Sequence, residues 1–232
     1  MANRIMISRT NPTPGREDEY RQYALRHGQE VLAEVPAFVS AQTHELHPIQ
    51  RPDASPPSPY QFMNLYEING TTGDTVTGVD AARSRNALSP NNGTLAPGGA
   101  SWVYDRMGEP VTGGTGLPGT ARHVYVGFLN AADGREDEFN AWYDDHHLRE
   151  WVTTMPGFVS GQRWRVSDEQ RPEVKQVLYR YVTIYQVEGD DIAEMNRLGA
   201  QVRAEGNLTP HNGAMADNIG FWLFTKIGPY FT

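Results

Sequence analysis

One phrase is written twice in this chain: GREDEY at 15–20 and GREDEF at 134–139, 134 − 15 = 119 positions apart. A six-letter coincidence constrains little, but a duplication constrains the whole architecture. The surrounding letters decide between them. At offset 119, RIMISRTNPTPGREDEY lies over HVYVGFLNAADGREDEF, with Ile5 over Val124, Ile7 over Val126 and Asn11 over Asn130. At offset 120, PAFVSAQ (36–42) lies over PGFVSGQ (156–162), and Arg51-Pro52 over Arg171-Pro172. PYQFMNLYEI (59–68) then lies over LYRYVTIYQV (178–187), SPNNGT (89–94) over TPHNGA (209–214), and Trp102 over Trp222. Matches that keep their order along both halves indicate a tandem duplication of a unit of about 110 residues. The slip from 119 to 120 falls between the repeated phrase and PAF/PGF, in a helix or the turn after it.

Each unit reads as βαββαβ. IMIS and VYVGFL are short strand-like runs followed by a turn. Asp133, three residues before Glu136, has the spacing of an N-cap and its reciprocal acid. Glu17, Asp18 and Glu19, like Glu136, Asp137 and Glu138, crowd a first helical turn, where the macrodipole favours anions. The helices end at Pro36 and Pro156. AFVSAQTHEL and GFVSGQRWRV are second strands, FMNLYEI and YVTIYQV third strands, and SWVYDRM and FWLFTKI fourth strands. VDAARSRNAL and IAEMNRLGAQVRAEG are second helices. This order predicts an α+β fold of two tandem ferredoxin-like βαββαβ units, each a four-stranded antiparallel sheet with both helices on one face. The bare faces then cover one another, sheet to sheet, as an intramolecular barrel. The expected units are 1–107 and 121–232. The intervening stretch GEPVTGGTGLPGTA holds five Gly and two Pro and reads as a linker over 108–120.

The second helix-and-strand region, NAWYDDHHLREWVTTMPGFVSGQRW (140–164), resembles the motif of the dimeric α+β barrel superfamily, in its EthD-like branch. The resemblance rests on Trp142 and Tyr143, on His147 four residues after the second aromatic, and on Pro156, Gly157 and Phe158 entering the next strand. It is sharp in the second half only. The first half has a single aromatic, Tyr23, with His27, and one residue fewer. Arg149 stands where a proline often follows the motif histidine. A weaker resemblance is to bacterial chalcone isomerase. The superfamily implies cofactor-free monooxygenases, cyclases, isomerases, haem proteins and members without activity, and fold alone does not choose among them.

The residues narrow the choice. With no cysteine, disulfides, thiolate metal sites and a cysteine nucleophile are excluded. Net charge is −8, from 28 acids and 20 bases, with no basic stripe, so nucleic acid is not an expected partner. No apolar run is long enough to span a bilayer, and the N-terminus lacks a signal-peptide pattern, so a cytoplasmic location is expected. Neither a Walker motif, a dinucleotide fingerprint nor a nucleophile elbow is present. His44 and His47 in HELH diverge on a strand, which argues against a metal site.

Tyr143 and His147 share one helical face at i, i+4. The histidine is suited to proton transfer near neutrality and the phenol to donating a hydrogen bond, with Asp144 or Glu150 able to orient the imidazole. The expected catalytic pair is therefore His147 and Tyr143. Trp142, Tyr125, Tyr185, Trp164, Trp222 and His27 are expected to line the substrate. The expected site is a second-half pocket between the 135–154 helix and its sheet, with the first-half copy free to drift. The functional expectation is a cofactor-independent isomerase, cyclase or lyase acting on a small aromatic or apolar carbonyl compound, with no metal. A cofactor-free monooxygenase of a phenol, or a non-catalytic ligand- or haem-binding protein, stays open, as does assembly into a homo-oligomer.

Overall fold

A computed structural model describes residues 3–52, 56–174 and 176–232; the first two residues of the expected first unit lie outside this set. The first half runs β1 (Arg4–Thr10), α1 (Glu17–Glu34), β2 (Phe38–Leu46), β3 (Phe62–Ile68), α2 (Thr72–Ser84) and β4 (Ala100–Thr112). The second runs β5 (Arg122–Leu129), α3 (Glu136–Trp142), a π-helical turn (Tyr143–His147), α4 (Leu148–Thr154), β6 (Phe158–Val166), β7 (Tyr181–Glu188), α5 (Ile192–Ala204) and β8 (Gly220–Phe231).

All eight strands close one antiparallel barrel in the order β1-β3-β2-β8-β5-β7-β6-β4. Four neighbouring strands come from each half, in matching order: β4-β1-β3-β2 and β8-β5-β7-β6. The halves meet along two seams, β2 with β8 and β4 with β6. Strand alternation sorts the side chains. Ile5, Ile7, Trp102, Val126, Trp164 and Trp222 point into the barrel and form one buried cluster. Their sequence neighbours point outward, under the helices. Met6, Phe38 and Tyr66 lie beneath the helices of the first half, and Tyr125, Phe158 and Tyr185 beneath those of the second.

The Gly/Pro-rich stretch is only partly a linker. Its first five residues are the end of β4, where Val111 and Thr112 pair with Gly161 and Ser160. Glycines at 108, 113 and 119 take positive φ, so this composition marks irregular backbone and not absence of pairing.

The repeated phrase has a structural task. Gly15 and Gly134 sit at φ 80 and 72, a left-handed turn that a side chain disfavours. The next residue, Arg16 or Arg135, is the helix N-cap and makes no side-chain capping bond, so the cap expected at Asp133 is not formed. Each arginine instead pairs with the glutamate three residues on, Glu19 or Glu138. Each also donates from Nη1 to a carbonyl of the distant Asn-Gly turn: Arg16 to Asn92 at 2.7 Å and Arg135 to Asn212 at 2.8 Å. Asn92 and Asn212 both have φ 50. GREDE thus ties the start of a helix to the loop that precedes the last strand of its own half.

The one-residue slip lies inside the helix. α1 spans 18 residues, whereas Glu136–Thr154 spans 7, 5 and 7 residues through α3, the π turn and α4, one more. A π turn closes i→i+5 bonds and so absorbs an extra residue without displacing the residues after it. The second helical stretch is thus one residue longer than α1, and the extra residue is accommodated in the turn Tyr143–His147. Accordingly Ala24 corresponds to Tyr143 before the extra residue, and His27 to His147 after it.

Candidate active site

The expected second-half site is occupied by its own motif. Tyr143 and Tyr185 are 0% and 1% exposed, and their hydroxyls meet at 3.2 Å. The Trp151 ring lies 6.0 Å from Tyr125 and 5.5 Å from Phe158, and Phe221 stacks on Tyr125 at 6.0 Å. His147 is wrapped by Trp142, Tyr143 and Trp151 at 4.3, 4.7 and 5.3 Å between ring centroids. Burial, reinforced by the charges of Arg163, His211 and Arg51, pushes its pKa down to about 3. The carboxylates expected to orient it are engaged elsewhere. Asp144 pairs with the buried Arg163, and Glu150 accepts from Thr209 N at 2.9 Å. Trp142 donates its indole N–H to the Thr209 carbonyl at 2.8 Å.

Three of the expected lining residues are elsewhere, His27 in the first half and two tryptophans inside the barrel. Trp164 and Trp222 point into the barrel, on the opposite face of the sheet from Tyr125 and Tyr185. Strand parity separates them, because 164 and 222 share the inward phase of their strands. Trp222 donates to the Pro56 carbonyl at 3.0 Å.

The first half differs at the corresponding positions. Where the second has Tyr143, Trp151, Trp142 and Tyr125, the first has Ala24, Val31, Tyr23 and Met6. The lost bulk is a cavity of about 240 Å³ between α1, α2 and the outer sheet face. An apolar cavity of about 150 Å³ accommodates benzene, so this one has room for a substituted single ring. Tyr20, Tyr23, His27, Asn64, Tyr66 and Arg171 are among its walls.

This cavity carries unmet polar groups. His27 Nδ1, Asn64 Oδ1 and Arg171 Nε are buried without a protein hydrogen-bond partner, a costly state that a bound polar group relieves. The His27 ring stacks on Tyr23, 5.2 Å away at 20°. Burial is the main cause of its lowered pKa, with the nearby Glu30 opposing, so at neutral pH the imidazole is uncharged and able to accept a proton. Burial likewise raises the Tyr20 and Tyr23 phenols, keeping them protonated donors. Tyr20 is tied to the Thr10 hydroxyl.

Of the expected site residues, the structure brings Tyr143, His147, Trp142, Tyr125 and Tyr185 together in one packed cluster and places His27 alone at the cavity. Arg171, Tyr20 and Asn64 are site residues that the sequence reading misses. Arg171 has a signal, the Arg-Pro pair repeated at offset 120, which reads as chemistry only once the loop is seen to reach the other half. No group of His, Asp and Glu among the described residues is arranged to hold a metal ion. No described helix is long and apolar enough to cross a membrane.

No protein-family model matches the sequence, and no curated protein matches it. Solved structures do. A "putative monooxygenase" from Fusobacterium nucleatum aligns with a TM-score of 0.62 at 7% identity, over 100% of this chain and 95% of that one. An anthrone oxidase-like protein aligns at 0.56 and 10% identity, over 98% and 94%. A second "putative monooxygenase", from Lactobacillus acidophilus, aligns at 0.53 and 9% identity, over 97% and 94%. At such identities the likeness concerns the fold: a mixed α+β chain whose eight-stranded antiparallel barrel is similar to those of dimeric α+β barrel proteins.

Proposed function

We propose that the first-half cavity is the working site of a cofactor-independent enzyme, in which His27 removes a proton from a small aromatic carbonyl compound or phenol. The observation that carries this reading is the buried, unpartnered Nδ1 of an uncharged histidine at a cavity of single-ring size walled by tyrosines. Proton abstraction leaves negative charge on the substrate oxygen. Tyr20 or Tyr23, still protonated, can donate to that oxygen, and Asn64 can hold a second polar group. This moves the expected chemistry from His147 to its counterpart, because the second-half site is filled by Tyr143 and Trp151. The aromatic cluster there is assigned to stability.

The test is exchange. A panel of small aryl ketones, deuterated next to the carbonyl, is incubated with the protein, and wash-out is followed by proton NMR. His27→Ala is expected to slow exchange by about 10²–10⁴-fold, and His147→Ala to leave its rate constant unchanged at a temperature where both variants are folded. Equal loss in the two variants, or loss in His147→Ala alone, defeats the assignment. An oxygenase would share the first step and pass the ionised phenol to molecular oxygen. The descriptions of the solved neighbours favour keeping that second reading, and oxygen uptake with phenolic substrates separates the two.

We further read the chain as a tandem duplication of a ferredoxin-like unit, over about 1–107 and 121–232, of the EthD-like branch. The ordered sequence matches, the shared strand order and the equivalent Arg16 and Arg135 ties support it. One chain then supplies both halves of the barrel, so a monomer can close it on its own. A cytoplasmic location and further assembly through the helical faces belong to the same reading.

A further inference from the structure

The long β2–β3 and β6–β7 loops each reach across to the other half. Arg51, on the first, brings its guanidinium carbon to 5.8, 5.5 and 5.8 Å from the ring centroids of Tyr125, Trp151 and Phe221 in the second half. The cation lies against three aromatic faces, a favourable arrangement when desolvated. Arg171 is its counterpart, since 171 − 51 = 120, and it lines the first-half cavity. The three rings that Arg51 meets correspond to Met6, Val31 and Ser101 (125 − 119, 151 − 120 and 221 − 120). The register supports this equivalence: Met6 pairs with Tyr66, and Tyr125 with Tyr185. Arg171 therefore reaches the same place as Arg51 and finds a cavity where Arg51 finds rings. Its Nη2 is held by Glu173, while Nε is buried without a partner.

We infer that the first-half cavity binds an aromatic anion whose ring takes the place that Trp151, Tyr125 and Phe221 occupy in the second half. Arg171, delivered from the other half, lies against that ring and donates from Nε to its ionised oxygen. This rests on the proposed site at His27 and specifies its ligand: a single planar ring bearing a carboxylate or phenolate. It also makes the site dependent on both halves of the chain. An aliphatic ring lacks the π face the guanidinium attracts, and a neutral amide lacks the charge that strengthens the Nε–H bond.

The experiment uses the full chain and three probes of similar shape: benzoate, benzamide and cyclohexanecarboxylate. Affinity is read by calorimetry, and the binding place from the resonances of labelled histidines. Benzoate is expected to bind at least about tenfold more tightly than either analogue and to shift His27. Arg171→Gln is expected to remove that advantage, weakening benzoate, which loses both the ring contact and the charged hydrogen bond, more than benzamide, which loses only the ring contact. Arg171→Lys, which keeps the charge but not the planar fork, should retain part of it, and serves as the second variant if the glutamine variant does not fold. If all three probes bind at His27 with equal affinity and neither substitution changes that, the inference fails and the site stands. If none binds, or if binding shifts His147 and not His27, the site reading fails and the inference with it.

Discussion

Removing the Tyr143 ring should open in the second half the cavity that the first half already has. Tyr143→Ala deletes a side chain that is 0% exposed, that packs against Phe139 at 5.5 Å and that lies under the Arg163 guanidinium at 4.5 Å. Truncating a buried aromatic to alanine typically costs about 3–5 kcal/mol. The Tyr185 hydroxyl, 3.2 Å from that of Tyr143, also loses its partner in a buried setting, for about 1–3 kcal/mol more. The expected total is about 4 kcal/mol or above, which for a domain of this size lowers Tm by about 8–16 °C. Urea denaturation gives the free energy and differential scanning calorimetry the midpoint. Tyr143→Phe keeps the ring and leaves only the Tyr185 hydroxyl unpaired, so it should cost about 1–3 kcal/mol. Phenol should then restore part of the loss in Tyr143→Ala by filling the void, raising Tm with concentration. A loss below about 1 kcal/mol in Tyr143→Ala would show that the second-half site is not filled by its motif, and would remove the reason for placing the chemistry in the first half.

Further outcomes rest on the same geometry. Val31→Trp copies Trp151 into the first half and should abolish benzoate binding by calorimetry while the far-ultraviolet circular dichroism stays unchanged; undiminished binding would place the ligand elsewhere. His44, 2% exposed inside the barrel, has its pKa lowered to about 3, by burial first and the charge of Lys226 second. Because the folded value lies below the unfolded one of about 6.5, the unfolded state takes up more protons between them, so stability is complete above about pH 6.5 and falls as pH drops toward 3. That amounts to about 2 kcal/mol by pH 5 from this residue, and His44→Gln should lose correspondingly less stability between pH 7 and pH 5 in urea melts. Deleting Asp145, an exposed residue of the π turn, should convert that turn to α-helix and be tolerated, whereas deleting Arg26 from α1, which has no spare residue, should rotate the following side chains by about 100°. The two melting temperatures settle this, and equal losses would speak against the extra residue being held there.

Much of the architecture is legible because the two halves of the sequence write the same alternation twice. Ile5 over Val124 and Trp102 over Trp222 are core positions that recur, and both pairs point into the barrel. What the sequence does not convey is the sign of the aromatic motif. Trp142, Tyr143 and His147 have the composition of a site, yet a large side chain can line a cavity or fill it, and the outcome depends on what stands opposite. Here Trp151 and Tyr185 stand opposite, and the space closes. In the first half Ala24 and Val31 leave it open, and small apolar residues carry no motif. The offset change is visible, but spacing alone does not separate a deletion in one helix from a π turn in the other. Asp133 fails as a cap because Arg135 occupies the N-cap and draws Glu138 to itself. Trp164 and Trp222 have the chemistry of pocket residues, yet strand parity sets them on the inner face.

The proposed function requires an open site at His27 and a closed counterpart at His147. Histidine-labelled protein, with its seven histidines assigned by substitution, can be titrated with benzoate and followed by heteronuclear NMR. A saturable shift is expected at His27 with His147 unmoved. A shift at His147 with His27 unmoved would contradict it.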